Sequence, residues 1–297
     1  MLSLTECIPW MTVGLAESVA IATLNLCTII TFKRNRNLRK RSMYLIINLV
    51  VTDMFVAGNV VFDLFYGPGV LCNLWTVSIE DGTSYFILVM VWFFPIGSLT
   101  NMAIIALERV HATVYPFRHR MLKKWVYRLL IAALWVSSGL LTIAYILLTQ
   151  FDELYYSAYL YYIFILIWLL IISVSYTSIV IKVRCGAQPQ HHGATSRERK
   201  LTMTLLIATV VSLLLCLPLV IMSYVRFIRK SKILQSLSFS VRIHLIYASW
   251  LLFYSNSLVN PILYTIRLPE YRSALLALFR KRPQQQRQVA VFRLRDM

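Results

Sequence analysis

Residues 43–66 read MYLIINLVVTDMFVAGNVVFDLFY, with Asp53 and Asp63 as the only charges. A helix rising 1.5 Å per residue needs about 20 mostly apolar residues to cross roughly 30 Å of hydrocarbon. This stretch meets that length, and a carboxylate near its middle demands a reason. Working outward, six further stretches qualify at 10–32, 83–111, 125–148, 157–184, 199–227 and 241–266. The joints between them are short and polar or basic and leave no room for a separate soluble domain. The expected fold is all-α: a seven-transmembrane helix bundle over residues 1–282, followed by a cytoplasmic tail at 283–297.

Composition agrees, since 59% of the 297 residues are hydrophobic and 14% charged, against about 45–50% apolar content in soluble domains. The net charge of +18 raises nucleic acid as a partner, but the charge is one-sided. Twenty-five of the 30 Lys and Arg fall on one set of joints and the tail; the other side holds only Arg226, Arg229, Lys230, Lys232 and Arg242. The positive-inside rule then places the N-terminus outside and the C-terminus inside, and the basic run reads as an orientation signal facing anionic lipid, with no nucleic-acid role. The first stretch runs straight into a basic loop with no small-residue cleavage site, so it reads as a retained helix. Cys7, Cys27, Cys72, Cys185 and Cys216 show no zinc or redox spacing, and no Gly-rich phosphate loop or His-Glu-x-x-His occurs. Nothing supports an enzyme.

Asn25, Asp53, Ser98, Asn101, Asn256, Ser257 and Asn260 lie mid-span or in the cytoplasmic half of their stretches. An Asp at mid-membrane costs about 2.5–3.5 kcal/mol on insertion scales. Asp53, Ser98, Asn256, Ser257 and Asn260 converge into one oxygen-rich cluster only if the second, third and seventh spans share a centre. Pro95, Pro218 and Pro261 fall inside spans, where each removes a backbone hydrogen bond and favours a kink. After the seventh span, Leu268, Tyr271, Leu275 and Phe279 share a face opposite Arg272, Arg280, Lys281 and Arg282, the pattern of a short amphipathic helix on the inner membrane surface.

In order, these residues resemble the rhodopsin-like class of G-protein-coupled receptors. The resemblance rests on Asn25, Asn48-Leu49-Val50-Val51-Thr52-Asp53, Glu108-Arg109-Val110, Pro116-Phe117, Trp135, Tyr176, Cys216-Leu217-Pro218 and Asn260-Pro261-Ile262-Leu263-Tyr264. Each motif is weak alone; the ordered set on seven spans is specific. It implies a multi-pass plasma-membrane receptor that passes an extracellular signal to a heterotrimeric G protein. Arg109 is then the switch arginine, held by Glu108 in a partly wet pair and at rest by Glu198. Tyr176 and Tyr264 would meet it once the sixth helix swings about Pro218, with Asn260-Pro261 in the moving seventh helix. Arg109, Pro116 and Phe117 would face the G protein. No cofactor is implied beyond an allosteric sodium ion at Asp53, Ser98, Asn256, Ser257 and Asn260, and an internal water network around a protonated Asp53 is the other reading of that cluster.

Several family features are missing. Ser84 stands where most members carry a bridging cysteine, residues 149–156 form a very short second extracellular loop, and Trp168 and Cys216 replace the usual proline and tryptophan. These losses are similar to those of the branch holding melanocortin, lysophospholipid, cannabinoid and adenosine receptors. Cys7 and Cys72 are the two cysteines facing the oxidising side and are expected to pair. The third-span position that carries aspartate in amine receptors is Val91, and the seventh-span position of the opsin lysine is Tyr254, which argues against biogenic amines and retinal. Helical position puts Asp63, Val91, Trp92, Pro95, Cys216, Arg226, Tyr247, Trp250 and Tyr254 around the ligand, a small molecule or a peptide, with Asp63 facing Arg226 and Arg242. The aromatic members read equally well as an interfacial belt. Two rival functions stay open: a receptor-like partner protein with no ligand of its own, given Val110 and Cys216, and a transporter or channel, which the lack of similarity between halves disfavours.

Overall fold

The computed structural model describes residues 3–35, 43–74, 81–151, 154–185, 194–225, 236–267 and 269–279. Seven long helices form the bundle: α1 (Leu4–Arg34), α2 (Met43–Tyr66), α4 (Asp81–Val114), α6 (Lys124–Gln150), α7 (Leu154–Cys185), α8 (Ala194–Ser223) and α9 (Phe239–Arg267). Three short ones complete it: α3 (Pro68–Leu71), α5 (Pro116–Met121) and α10 (Pro269–Phe279). The tail, the basic stretch 36–42, residues 186–193 and Arg226 lie outside the described residues.

Lipid cannot satisfy backbone or hydroxyl groups, so each span satisfies its own. Thr28, Thr52 and Thr100 donate their hydroxyls to the carbonyls of Leu24, Asn48 and Ile96 at 2.7–2.8 Å. At the N-terminus of α1 the Ser3 N–H donates to the Glu6 carboxylate at 2.8 Å, and Lys33 and Arg34 close its last turn, both favourable to the helix dipole. Leu15, Val136, Leu140, Leu170, Leu214 and Ile266 point outward and are more than half exposed. A water-soluble protein avoids so broad an apolar surface; a lipid-facing bundle requires it.

Five stretches, Leu4–Arg34, Met43–Leu71, Val89–Val114, Lys124–Gln150 and Tyr159–Lys182, are apolar enough to cross a membrane on length and composition. α8 and α9 reach span length at 30 and 29 residues but are less apolar. α8 has a polar foot before its apolar run Val210–Met222, and α9 carries Arg242, His244, three serines past residue 248 and two asparagines. Thr204 and Ser212 of α8 and Ser249, Asn256, Ser257 and Asn260 of α9 are buried, so part of this polarity faces the interior.

α4 is central, packing against α2, α6 and α7; α1 leans on α2 and α9, and α8 on α9. This arrangement brings the mid-span polar residues of α2, α4 and α9 to a shared interior. Gly14 of α1 sits so close to α2 that a Cβ there would meet Leu64 Cδ2 at 2.8 Å. α10 follows the seventh span and is anchored by buried Tyr271, whose hydroxyl bonds Thr28 of α1 at 2.7 Å.

Candidate functional site

At the cytoplasmic end, the last turns of α4 carry Glu108 and Arg109, both buried. Arg109 Nε donates to Glu108 Oε2 at 2.5 Å, and Nη2 pairs with the same oxygen. The other carboxylate oxygen bonds His119 Nε2 of α5 at 2.7 Å and accepts from Tyr127 of α6 at 3.3 Å, and the last two side chains lie 3.2 Å apart. The pair expected to be partly wet is therefore dry, because α5 folds His119 over it and α6 backs it with Tyr127. Sequence reasoning missed both partners. Their separation from Glu108, 11 and 19 residues, follows no helical period, so only the path of the loop reveals them.

Tyr176 is buried, and the hydroxyl of fully buried Tyr264 has no hydrogen-bond partner. Pro218 and Pro261 lie inside α8 and α9. Pro116 starts α5, which presents Phe117 at 81% exposure. The side chain of Glu198 lies outside the described residues, although its helix is described.

One layer inward, the Asp53 carboxylate accepts from Ser98 Oγ at 2.7 Å, Ser257 Oγ at 3.0 Å and Asn260 Nδ2 at 3.1 Å. Asn256 is buried beside them but does not touch Asp53. Its amide N–H reaches Met102 Sδ at 3.5 Å, and its Oδ1 has no partner. A small cavity lies between Pro95, Ser98, Cys216, Asn256 and Ser257. A buried carboxylate with neutral donors, two hydroxyl oxygens and an orphaned amide oxygen is a donor set that suits a hard monovalent cation.

Toward the outside, several of the residues expected around a ligand line two small cavities among the described residues. Trp92 fills the centre, its ring centroid 4.4 Å from Tyr161, 4.6 Å from Tyr145 and 5.8 Å from Trp250. The space beneath holds Pro95 and Cys216. A separate cavity lies between α1, α2 and α9, lined by Trp10, Asp63, Tyr247, Trp250 and Tyr254. Val91 lines neither cavity. Among the described residues Asp63 forms no ion pair with Arg242, whose Nε is buried without a partner; Arg226, the other residue expected to face Asp63, lies outside them.

The first turn of α1 and the end of α3 are joined by a Cys7–Cys72 disulfide with Cα atoms 6.4 Å apart. Nearby, Ser240 donates to Glu6 at 2.5 Å, and Trp10 Nε1 donates to His244 Nδ1 at 2.7 Å, tying α1 to α9. The Ser240 hydroxyl and the Ser3 groups hold the Glu6 carboxyl down at about 2.

Compared with known families, residues 24–264 match the model of the 7 transmembrane receptor (rhodopsin family). The chain belongs to this family. No curated protein matches it closely enough to report a relative. The receptor is thus a multi-span membrane protein of a signalling family that is generally not enzymatic, and the matched segment runs from just before Asn25 to Tyr264. It takes in the Asp53 cluster and the Glu108–Arg109 pair, while Cys7, Trp10 and Glu17 precede it.

Proposed function

We propose that the receptor carries an extracellular signal, from a small molecule or a peptide, across the plasma membrane to a heterotrimeric G protein. The observation that carries this reading is the Glu108–Arg109 pair closed inside the bundle by His119 and Tyr127, with the Tyr264 hydroxyl left unpartnered in the same interior. Such a site has two alternative sets of contacts, the requirement for a two-state switch. At rest, Arg109 is held by Glu108, and Glu198, near the start of α8 in sequence, would reinforce it. In the active arrangement, α8 swings about Pro218, Asn260-Pro261 lets α9 shift, and Arg109 leaves Glu108 for Tyr176 and Tyr264. Arg109, Pro116 and Phe117 then present a cation and an apolar contact to the G protein.

Asp53, Ser98, Asn256, Ser257 and Asn260 would hold a sodium ion, whose charge favours the resting state. The chain's own part is to supply the carboxylate and oxygens and to couple α2, α4 and α9 through Asp53. Upward, Trp92 and Trp250 link this layer to the residues facing the ligand.

The test uses the full chain in lipid nanodiscs with purified G proteins of each class. Basal nucleotide exchange above the receptor-free rate, lost in Arg109→Ala, is the expected result. A well-folded chain that drives no exchange on any G protein, alone or with a ligand panel, refutes the reading and favours the partner-protein alternative.

A further inference from the structure

The cavity between α1, α2 and α9 combines one carboxylate and four aromatic rings with the aliphatic Val60, Leu64 and Leu251. Asp63 contributes a carboxylate that no hydrogen bond or ion pair reaches among the described residues. Tyr254, 1% exposed, contributes a buried hydroxyl that also has no partner. Trp10, Tyr247 and Trp250 supply the remaining rings, and no Lys or Arg lines the space. Beyond Tyr254, the adjacent Ser255 donates to a second acid, Glu17 of α1, at 2.7 Å, so a carboxyl group stands on either side of that tyrosine. A buried carboxylate without a partner is expensive, and aromatic walls attract cations through their quadrupoles. The cavity, at about 10 Å³, admits one group the size of a water molecule. A guanidinium or quaternary ammonium is too wide.

Resting on the receptor reading, we infer that this cavity takes the primary ammonium head of the extracellular ligand, ion-paired to Asp63 and hydrogen-bonded to the Tyr254 oxygen, with the rest of the ligand outside. The charge comes from α2, so the absence of an acid at Val91 does not oppose it. A small alkylamine and a peptide amino terminus offer the same head.

The test is the melting temperature of the full chain in nanodiscs titrated with butylammonium, butanol or tetramethylammonium, with no G protein present. Butylammonium should stabilise saturably and the other two should not. In Asp63→Asn the apparent affinity should fall at least about thirtyfold, as for loss of one member of a buried charge pair. Asp63→Glu, which keeps the charge, should retain part of the response and guards against a folding defect in the amide variant. Gly-Gly-Gly-amide with a free or acetylated amino terminus identifies the source: tighter binding of the free form than of butylammonium indicates a peptide terminus, weaker binding a small amine. No response to butylammonium in the wild type, an equal response in Asp63→Asn, or equal stabilisation by butanol overturns the inference. Because binding is read without a G protein, this result and the nucleotide-exchange result fail independently.

Discussion

Replacing Glu108 by Gln keeps a hydrogen-bonding side chain of the same size but removes the charge that neutralises Arg109. The Arg109 and Glu108 side chains are each 4% exposed, so the guanidinium left behind cannot be rescued by water. Breaking a buried pair from one side costs about 3–5 kcal/mol. Gln retains some hydrogen bonding, so about 2 kcal/mol is a reasonable share to fall on the resting state alone, because in the active arrangement Arg109 no longer depends on Glu108. Each 1.4 kcal/mol is tenfold, giving about a thirtyfold shift toward the active state. A receptor that is about 1% active at rest becomes about 25% active. The assay is ligand-free nucleotide exchange by purified Glu108→Gln receptor in nanodiscs, normalised to folded protein. Exchange unchanged or lower, with the melting temperature kept within a few degrees, would refute the assignment of Glu108 as the resting restraint.

Other outcomes follow from the same contacts. Glu6 lies in the first turn of α1, before the apolar stretch 10–32, and its carboxyl is held at about 2, below its ordinary 4.5, chiefly by the Ser240 hydroxyl. Its contribution is therefore complete above pH 4.5 and lost as pH falls through about 2; between pH 5 and pH 3 the wild type should lose more thermal stability than Glu6→Gln, and parallel curves would contradict this. The Cys7–Cys72 bridge closes a sequence separation of 65, for which chain-entropy reasoning gives about 4 kcal/mol; Cys7→Ser should lower the melting temperature, and reductant should lower the wild type but not the variant. Asp53→Asn removes the acceptor shared by Ser98, Ser257 and Asn260 and should abolish any suppression of basal exchange by sodium chloride relative to an equal concentration of choline chloride; sodium suppression that persists in the variant would place the ion elsewhere. His119→Phe removes the 2.7 Å contact to Glu108, a bond to a charged group worth about 1.5–3 kcal/mol, and should lower thermal stability more than His111→Phe does.

What could be read in advance follows from how each group is constrained. Asp53, Ser98, Ser257 and Asn260 were legible because a polar side chain in mid-membrane must find another, and few candidates share its depth. Asn256 was legible as a neighbour but not as an orphan, since its amide direction depends on where Met102 lies. The His119 and Tyr127 contacts to Glu108 were not legible, because they depend on the turn by which α5 leaves α4. The packing of the Trp92 ring against Tyr161, Tyr145 and Trp250 was not legible either, because sequence does not encode ring rotamers. The spans themselves followed from hydropathy, except that α8 and α9 spend apolar residues on inward-facing function.

The brevity of the link between α6 and α7 has a mechanical meaning. From Gln150 to Leu154 the fully stretched backbone reaches at most about 14 Å, so it acts as a leash between the two helices. The tops of α6 and α7 cannot drift apart and must move as a coupled pair. The join between α6 and α7 is thus a fixed limit on how that edge of the bundle can rearrange.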